Sequence, residues 1–156
     1  VATKIYTIAD LQNMNLDLAG DYELANDIDA DSFDFQPVGD SSNRFTGTFD
    51  GCGYKISNLT INKATYYLGL FGYAQEATLE DVAFENVSIT GSNSDYIGSL
   101  VGFAYACTVQ DIEVISSVIR GLRYYVGGVI GYARYSPTII ARCTAQVDVY
   151  SDTSGS

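Results

Sequence analysis

YVGGVIGYA (Tyr125–Ala133) is nearly all apolar, carries three glycines in nine residues, and restates two earlier passages, YLGLFGYA (Tyr67–Ala74) and YIGSLVGFA (Tyr96–Ala104). Tyr67, Tyr96 and Tyr125 are spaced by 29 and Thr78, Thr108 and Thr138 by 30, so whole units recur rather than a single word. Self-similarity at that period is the signature of a repeat architecture. Each unit continues into a second half: TLEDVAFENVSI (Thr78–Ile89), TVQDIEVISSVI (Thr108–Ile119) and TIIARCTAQVDV (Thr138–Val149). Inside these halves apolar residues alternate, as in Val82 and Phe84 or Ile112 and Val114, which describes strands with one buried face.

Units of about 30 residues, each too poor in apolar surface to fold alone, predict coils stacked on one another. The expected fold is all-β, a single-stranded right-handed parallel β-helix (β-solenoid) with a short N-terminal capping helix. In that stack Tyr73, Phe103 and Tyr132 lie one above another about 4.8 Å apart. Gly72, Gly102 and Gly131 form a second column, where either φ is positive or no side chain fits. Gly69, Gly98 and Gly128 complete the structural motif. Asn58, Asp81 and Asp111 each precede an inward apolar residue and read as stacked corners. An earlier relative, YKISNLTI (Tyr54–Ile61), is aligned with Ile56, Asn58, Leu59 and Ile61 on Leu79, Asp81, Val82 and Phe84.

The beginning of the chain differs. In TIADLQNM (Thr7–Met14), Thr7 and Asp10 form a capping box, and Ile8, Leu11 and Met14 recur at helical spacing. The helix is expected to cover the first coil and hide its strand edge. YELANDIDA (Tyr22–Ala30) reads as the first strand region. The expected organisation is a cap over 1–21, a solenoid over 22–150 with repeats at about 67–95, 96–124 and 125–150, and at 151–156 a polar tail or the start of a further repeat.

Composition limits the function. The 156 residues hold 47% apolar residues, enough for one core, with a formal net charge of −11, eight Lys plus Arg and no histidine. That balance argues against a nucleic-acid surface, which needs a basic stripe. No apolar run approaches the roughly 18–20 residues that span a bilayer. The chain opens at Val1 without a basic leader, as a mature form or an excised fragment would. Cys52, Cys107 and Cys143 have no metal-ligand spacing and an odd count, so buried free thiols are expected.

GLFG (Gly69–Gly72), SLVG (Ser99–Gly102) and GVIG (Gly128–Gly131) resemble the GLUG motif repeats of bacterial surface and secreted proteins, including the non-catalytic region of IgA-specific metallopeptidases. The lead-in resembles the same family in order: YTIADLQNM, GDYELANDIDA, PVG and FTGTFDGCGYKISNLTI, so the resemblance covers about residues 5–150. It implies a β-solenoid module of an exported, extracellular or cell-surface protein, often part of a much longer chain, and it does not imply catalysis. Metallopeptidase chemistry needs HExxH, and this chain has no histidine. Three residues or segments depart from the pattern: Cys52 where asparagine is common, Ser99 for a motif glycine, and a loosened third unit around Ser136 and Pro137.

Three groups of residues are site candidates. Asp27, Asp29, Asp31 and Asp34 fall within eight residues, a composition suited to calcium, although the ligand pattern of an EF-hand loop is absent and a solvated turn is the simpler reading. No other cofactor is expected. Tyr66, Tyr67, Tyr124 and Tyr125 at coil corners offer rings to a glycan, or else stack to stabilise successive rungs. Asp111, Glu113, Arg120 and Arg142 are the acids and bases that adjacent coils would gather in a carbohydrate-active β-helix enzyme. The reading that fits best is a non-catalytic module with a structural or adhesive role, displaying domains or contacting host, neighbouring cells or identical subunits. A glycan-binding module is the alternative, and an enzyme a weaker one. VDVYSDTSGS (Val147–Ser156) carries no capping helix, so partners are expected at an open C-terminal end: further domains of a longer chain or identical subunits, with glycans or host proteins as other partners.

Overall fold

The computed structural model of the chain describes residues 1–151. It is a β-solenoid of about four turns. The longest face is a parallel sheet in which Thr3–Ile5, Asp21–Leu24, Thr48–Asp50, Thr78–Glu85, Thr108–Gly121 and Ile139–Ser151 follow one another. Ile28–Asp29 and Lys55–Ser57 extend it beside the second half of Thr78–Glu85, and Thr60–Lys63 and Ser88–Gly91 extend it beside the end of Thr108–Gly121. Two further three-stranded parallel sheets close the coil. One holds Phe71–Gln75, Val101–Tyr105 and Ile130–Arg134, and the other Tyr67–Leu68, Tyr96–Ile97 and Tyr125–Val126.

The repeat register is the one the sequence predicts. Tyr96 pairs with Tyr67 and Tyr125, and Phe103 with Tyr73 and Tyr132. The rings of Phe103 lie 4.6 Å from Tyr73 and 5.2 Å from Tyr132. The last coil keeps this register through Ile130–Arg134 and Ile139–Ser151 despite Ser136 and Pro137.

Gly72, Gly102 and Gly131 stand between these paired residues, and crowding rather than backbone conformation is what excludes a side chain. Among the described residues, positive φ at glycine occurs only at Gly39 and Gly53. A Cβ on Gly102 would lie 2.7 Å from the Tyr96 carbonyl oxygen and 2.9 Å from that of Gly72. Neither is the end of a flexible side chain. The glycine at this rung lets two backbone segments of one coil and the coil below approach together.

Corners are left-handed residues in columns. Asp81 and Asp111 have φ of 53° and 55°, with Arg142 at 50° continuing the column. Asn58 does not belong to it, which corrects the alignment drawn from sequence. Ile56 pairs with Phe84 and Ile61 with Ile89, so YKISNLTI stacks on the second half of the next unit. Asn58 therefore meets Asn86, whose Nδ2 donates to Asn58 Oδ1 at 2.7 Å, and itself donates to Asp29 at 2.9 Å. The shift arises because the turn at Cys52 and Gly53, φ of 51° and 75°, takes up residues that the later coils lack.

Two expectations about the start of the chain need correction. Tyr22–Ala30 is not the first strand region, because Thr3–Ile5 already pairs with Asp21–Leu24 ahead of it. The capping box is present, with Asp10 N–H donating to Thr7 Oγ1 and Thr7 N–H to Asp10. The helix Ile8–Asn13 and the 3₁₀ turn Met14–Leu16 bury Leu11 and Met14 fully. They cover the apolar interior, while Thr3–Ile5 keeps an outer edge without a partner strand. Gln12 exchanges two hydrogen bonds with the Gln36 backbone, which fastens the helix to the coil. Of the expected tail at 151–156, all but Ser151 lies outside the described residues.

Gly102→Val is expected to cost about 3 kcal/mol or more, the upper range for overpacking a filled interior. Ala104→Ser, at a fully buried position flanked by the same strands, should cost about 1–2 kcal/mol for one buried hydroxyl. Melting temperatures of the two variants check this, and equal values would contradict the crowding argument.

Candidate functional site

The tyrosines form a ladder. The ring of Tyr96 is stacked between Tyr67, at 5.2 Å and 8°, and Tyr125, at 5.1 Å and 7°. Beside it runs the Tyr73–Phe103–Tyr132 column, whose rings meet the ladder edge to face, as Tyr96 and Phe103 do at 5.2 Å and 80°. Offset and edge-on aromatic pairs each add about 0.5–1.5 kcal/mol beyond area burial. Burial pushes the Tyr67 and Tyr96 phenols above their ordinary value, with neighbouring tyrosines adding to the effect. The rings stay neutral at physiological pH.

This geometry sorts the four candidate tyrosines. A face covered by another ring is closed to a sugar, so both faces of Tyr96 are consumed. Tyr67 and Tyr125, at the two ends, each keep one. Tyr66 and Tyr124 are exposed and outside the stack, with Arg123 lying 5.4 Å over the Tyr124 ring. Tyr96, the middle of the ladder, was not singled out from sequence, although its spacing of 29 from both neighbours carried the signal.

The aspartates of the first coils do not converge. Asp27 Oδ1 accepts from Lys55 N–H at 3.0 Å, Asp29 Oδ1 from Asn58 and Asp31 N–H, Asp34 pairs with Lys63 at 2.5 Å, and Asp31 accepts from Ser32. The Asn58 amide, then the Asp31 N–H, holds the Asp29 carboxyl below its usual range. Each carboxylate has its own partner in the coil or turn. Among the described residues no three His, Cys, Asp or Glu side chains approach as metal ligands do.

The acids and bases considered for catalysis are similarly dispersed. Arg142 grips Asp111 with two hydrogen bonds of 2.5 and 2.7 Å, which holds that carboxyl below its usual range. Arg120 lies 4.7 Å over the Tyr150 ring, and Glu113 is exposed. The four residues thus form one ion pair and one cation–π contact, with the Glu113 carboxylate on the surface.

The cysteines are free, but only Cys107 is buried; Cys143 is half-buried and Cys52 exposed, which corrects the expectation of three buried thiols. Cys52 sits at a left-handed corner, a conformation asparagine tolerates better. Partial desolvation and then the Asp50 carboxylate push its thiol above the ordinary value.

The two ends differ in finish. In the last coil the inward positions Ile140 and Val149 remain 51% and 43% exposed, whereas their counterparts Val109 and Ile119 one coil earlier are fully buried. A shallow space at that end is lined by Leu122, Val149 and Tyr150. A second cleft, of about 460 Å³, opens on the flank near the start, between Leu18, Pro37, Asp40, Asn43 and Tyr67.

Residues 2–116 match the family model described as the M26 IgA1-specific metallo-endopeptidase N-terminal region. The chain is 34% identical over 145 residues to halomucin of Haloquadratum walsbyi, aligning 82% of this chain and 2% of that one. It is 33% identical over 131 residues to a candidate Gly-rich membrane protein of Evansella cellulosilytica, aligning 78% of this chain and 13% of that one. The chain thus spans a small part of either relative. Among solved structures, a candidate immunoglobulin A1 protease from Bacteroides ovatus superposes with a TM-score of 0.52 at 13% identity, over 96% of this chain and 67% of that one, a likeness of fold. No helix of the described residues is long and apolar enough to cross a membrane.

Two outcomes follow from this geometry. Chelation with EDTA should leave the melting temperature unchanged; a drop reversed by calcium would reveal a site that these separately engaged carboxylates do not build. Cys52 should alkylate before Cys107 in the folded protein, and slowly at pH 7, because a raised thiol value lowers the reactive thiolate fraction. Asp50→Asn removes a carboxylate that opposes ionisation, so it should speed labelling at pH 8; an unchanged rate would contradict that assignment.

Proposed function

Since the chain belongs to the M26 IgA1-specific metallo-endopeptidase N-terminal region family, we propose that this β-solenoid is a non-catalytic, structural or adhesive module of an exported bacterial surface protein. It displays domains or meets host, neighbouring cells or identical subunits at an extracellular or cell-surface site. The observation that carries the reading is the in-register stacking of successive coils, with Thr108–Gly121 paired to Thr78–Glu85 on one side and to Ile139–Ser151 on the other, a geometry that any further coil extends. Among the described residues Ile140 and Val149 stay exposed where their counterparts Val109 and Ile119 are buried, so a coil from the same chain or from an identical subunit would have an apolar row to cover.

The chemistry of the faces supports a scaffold. The residues that zinc peptidase chemistry needs are absent, since there is no histidine. The acids that adjacent coils bring near bases are spent on single ion pairs. Small relatives of this kind recur inside far longer proteins, as the 2% and 13% shares show.

Extending the chain by one or two repeats patterned on residues 96–124 tests the reading. Covering Ile140 and Val149 should raise the melting temperature by about 5 °C or more, given about 1.5–3 kcal/mol for each large apolar side chain fully buried and about 2–4 °C per kcal/mol at this size. Light scattering over a concentration series should show association of the unextended chain that the extension suppresses. A strictly monomeric chain that gains nothing from extension would overturn the proposal.

A further inference from the structure

The aromatic ladder stops at Tyr67, whose ring lines a cleft. Tyr67–Leu68 is the first strand of its sheet, with Tyr96–Ile97 its single partner. Tyr96 covers one face of the Tyr67 ring at 5.2 Å and 8°. Tyr73 and Phe103 meet that ring at interplanar angles of 66° and 86°, which occupies its flank. The coil before it contributes no ring to the ladder. In its place lies the cleft of about 460 Å³, walled by Leu18, Pro37, Gly39, Asp40 and Asn43 from the preceding coils and by Thr65 beside Tyr67.

Its walls are held in place by contacts that do not use up the cleft's polar groups. Asn15 donates to the Pro37 carbonyl oxygen at 3.3 Å and accepts from Gly39 N–H at 3.1 Å, fixing the Pro37–Gly39 segment. Asp40 Oδ1 accepts from Ser42 and Asn43 N–H at 2.7 and 2.8 Å, while Asp40 N–H donates to the Asn43 carbonyl oxygen at 2.8 Å. That turn is closed on itself. Among the described residues no hydrogen bond engages Asp40 Oδ2, the Asn43 side-chain amide or the Thr65 hydroxyl. The cleft therefore combines one open aromatic face with an acceptor, an amide and a hydroxyl in a preorganised frame.

We infer that this cleft binds a neutral saccharide, with a pyranose ring lying on Tyr67 and its hydroxyls taken by Asp40, Asn43 and Thr65. A pyranose has an apolar face of C–H bonds, whose partial positive charge is attracted to the negative face of an aromatic ring. Its edge carries adjacent hydroxyls that donate to a carboxylate and exchange bonds with an amide. The volume falls within the range of about 300–1,000 Å³ for small-molecule pockets and suits one or two sugar rings. No Lys or Arg lines the cleft and one carboxylate does, in a chain of net charge −11, so acidic sugars are disfavoured. Tyr125, at the other end of the ladder, does not line this cleft, which makes it the internal control. This inference stands apart from the module's scaffold role, and either can fail without the other.

Titration of the ¹⁵N-labelled chain with the methyl glycosides of glucose, galactose, mannose and N-acetylglucosamine tests it, with glucuronate as the charged counterpart. At least one neutral sugar should bind with a Kd of about 1 mM or tighter and shift the amides of Asp40, Asn43, Thr65 and Tyr67. Tyr67→Leu should weaken binding about 10-fold or more through loss of the ring face, and Asn43→Ala about 5-fold through loss of one hydrogen bond. Tyr67→Phe keeps the face and should retain binding, and Tyr125→Leu should leave it unchanged. Amide spectra confirm that each variant is folded, and Asn43→Ala, an exposed position, reads the cleft without touching the ladder. The proposal is overturned if none of the four sugars shifts the cleft amides, if folded Asn43→Ala and Tyr67→Leu both bind as the parent does, or if glucuronate binds as well as the neutral sugars.

Discussion

Parallel strands in register set each side chain about 4.8 Å above its counterpart one coil earlier, and that spacing is the constraint from which the other features follow. A ring placed over a ring at this distance makes contact, so tyrosine at 67 favours tyrosine at 96 and again at 125. A glycine under two converging backbones must recur as well, which is why Gly72, Gly102 and Gly131 share a column in which Cβ atoms would meet carbonyl oxygens. Apolar residues extend the same logic inward. Phe49, Leu79 and Val109 lie in neighbouring strands of one face and all are fully buried.

Stacking in register would also place like charges over like charges, and the chain has nineteen acids against eight bases. The bases are spent accordingly. Lys4 with Glu23, Lys55 with Glu85, Lys63 with Asp34, Arg123 with Asp95 and Arg142 with Asp111 are all ion pairs between successive coils. Arg44 reaches across a coil to Gln75 and over the Tyr73 ring, and Arg120 lies over Tyr150. Exposed pairs of this kind contribute little individually. Their shared direction along the stack relieves the repulsion that register would otherwise build up.

The family match and the fold agree on a β-solenoid module. Its ion pairs each join one carboxylate to one base. Two places set a group that meets its copy elsewhere in the stack against open space: among the described residues the inward Ile140 and Val149, exposed where Val109 and Ile119 are buried, and the ring of Tyr67, stacked on Tyr96 and lining the cleft. The proposed roles, association with a further coil and binding of a neutral sugar, rest on these two places.

Much of this was legible in the residues alone. The spacing of 29 and 30 gave the coil length, the alternation gave the inward positions, and Thr7 with Asp10 gave the helix start, because each signal is local or repeats exactly enough to be aligned with itself. The tertiary structure decided what depends on the first, irregular coils. YKISNLTI stacks on Val82–Ile89 rather than on Thr78–Phe84, since the turn at Cys52 and Gly53 absorbs residues that no later unit possesses. Thr3–Ile5 is the first rung although three residues carry no periodicity to detect, and it is fixed only by pairing with Asp21–Leu24. The cleft was likewise invisible, because Asn15, Asp40, Asn43 and Tyr67 are brought together by three successive coils, and no sequence separation within a repeat encodes that meeting.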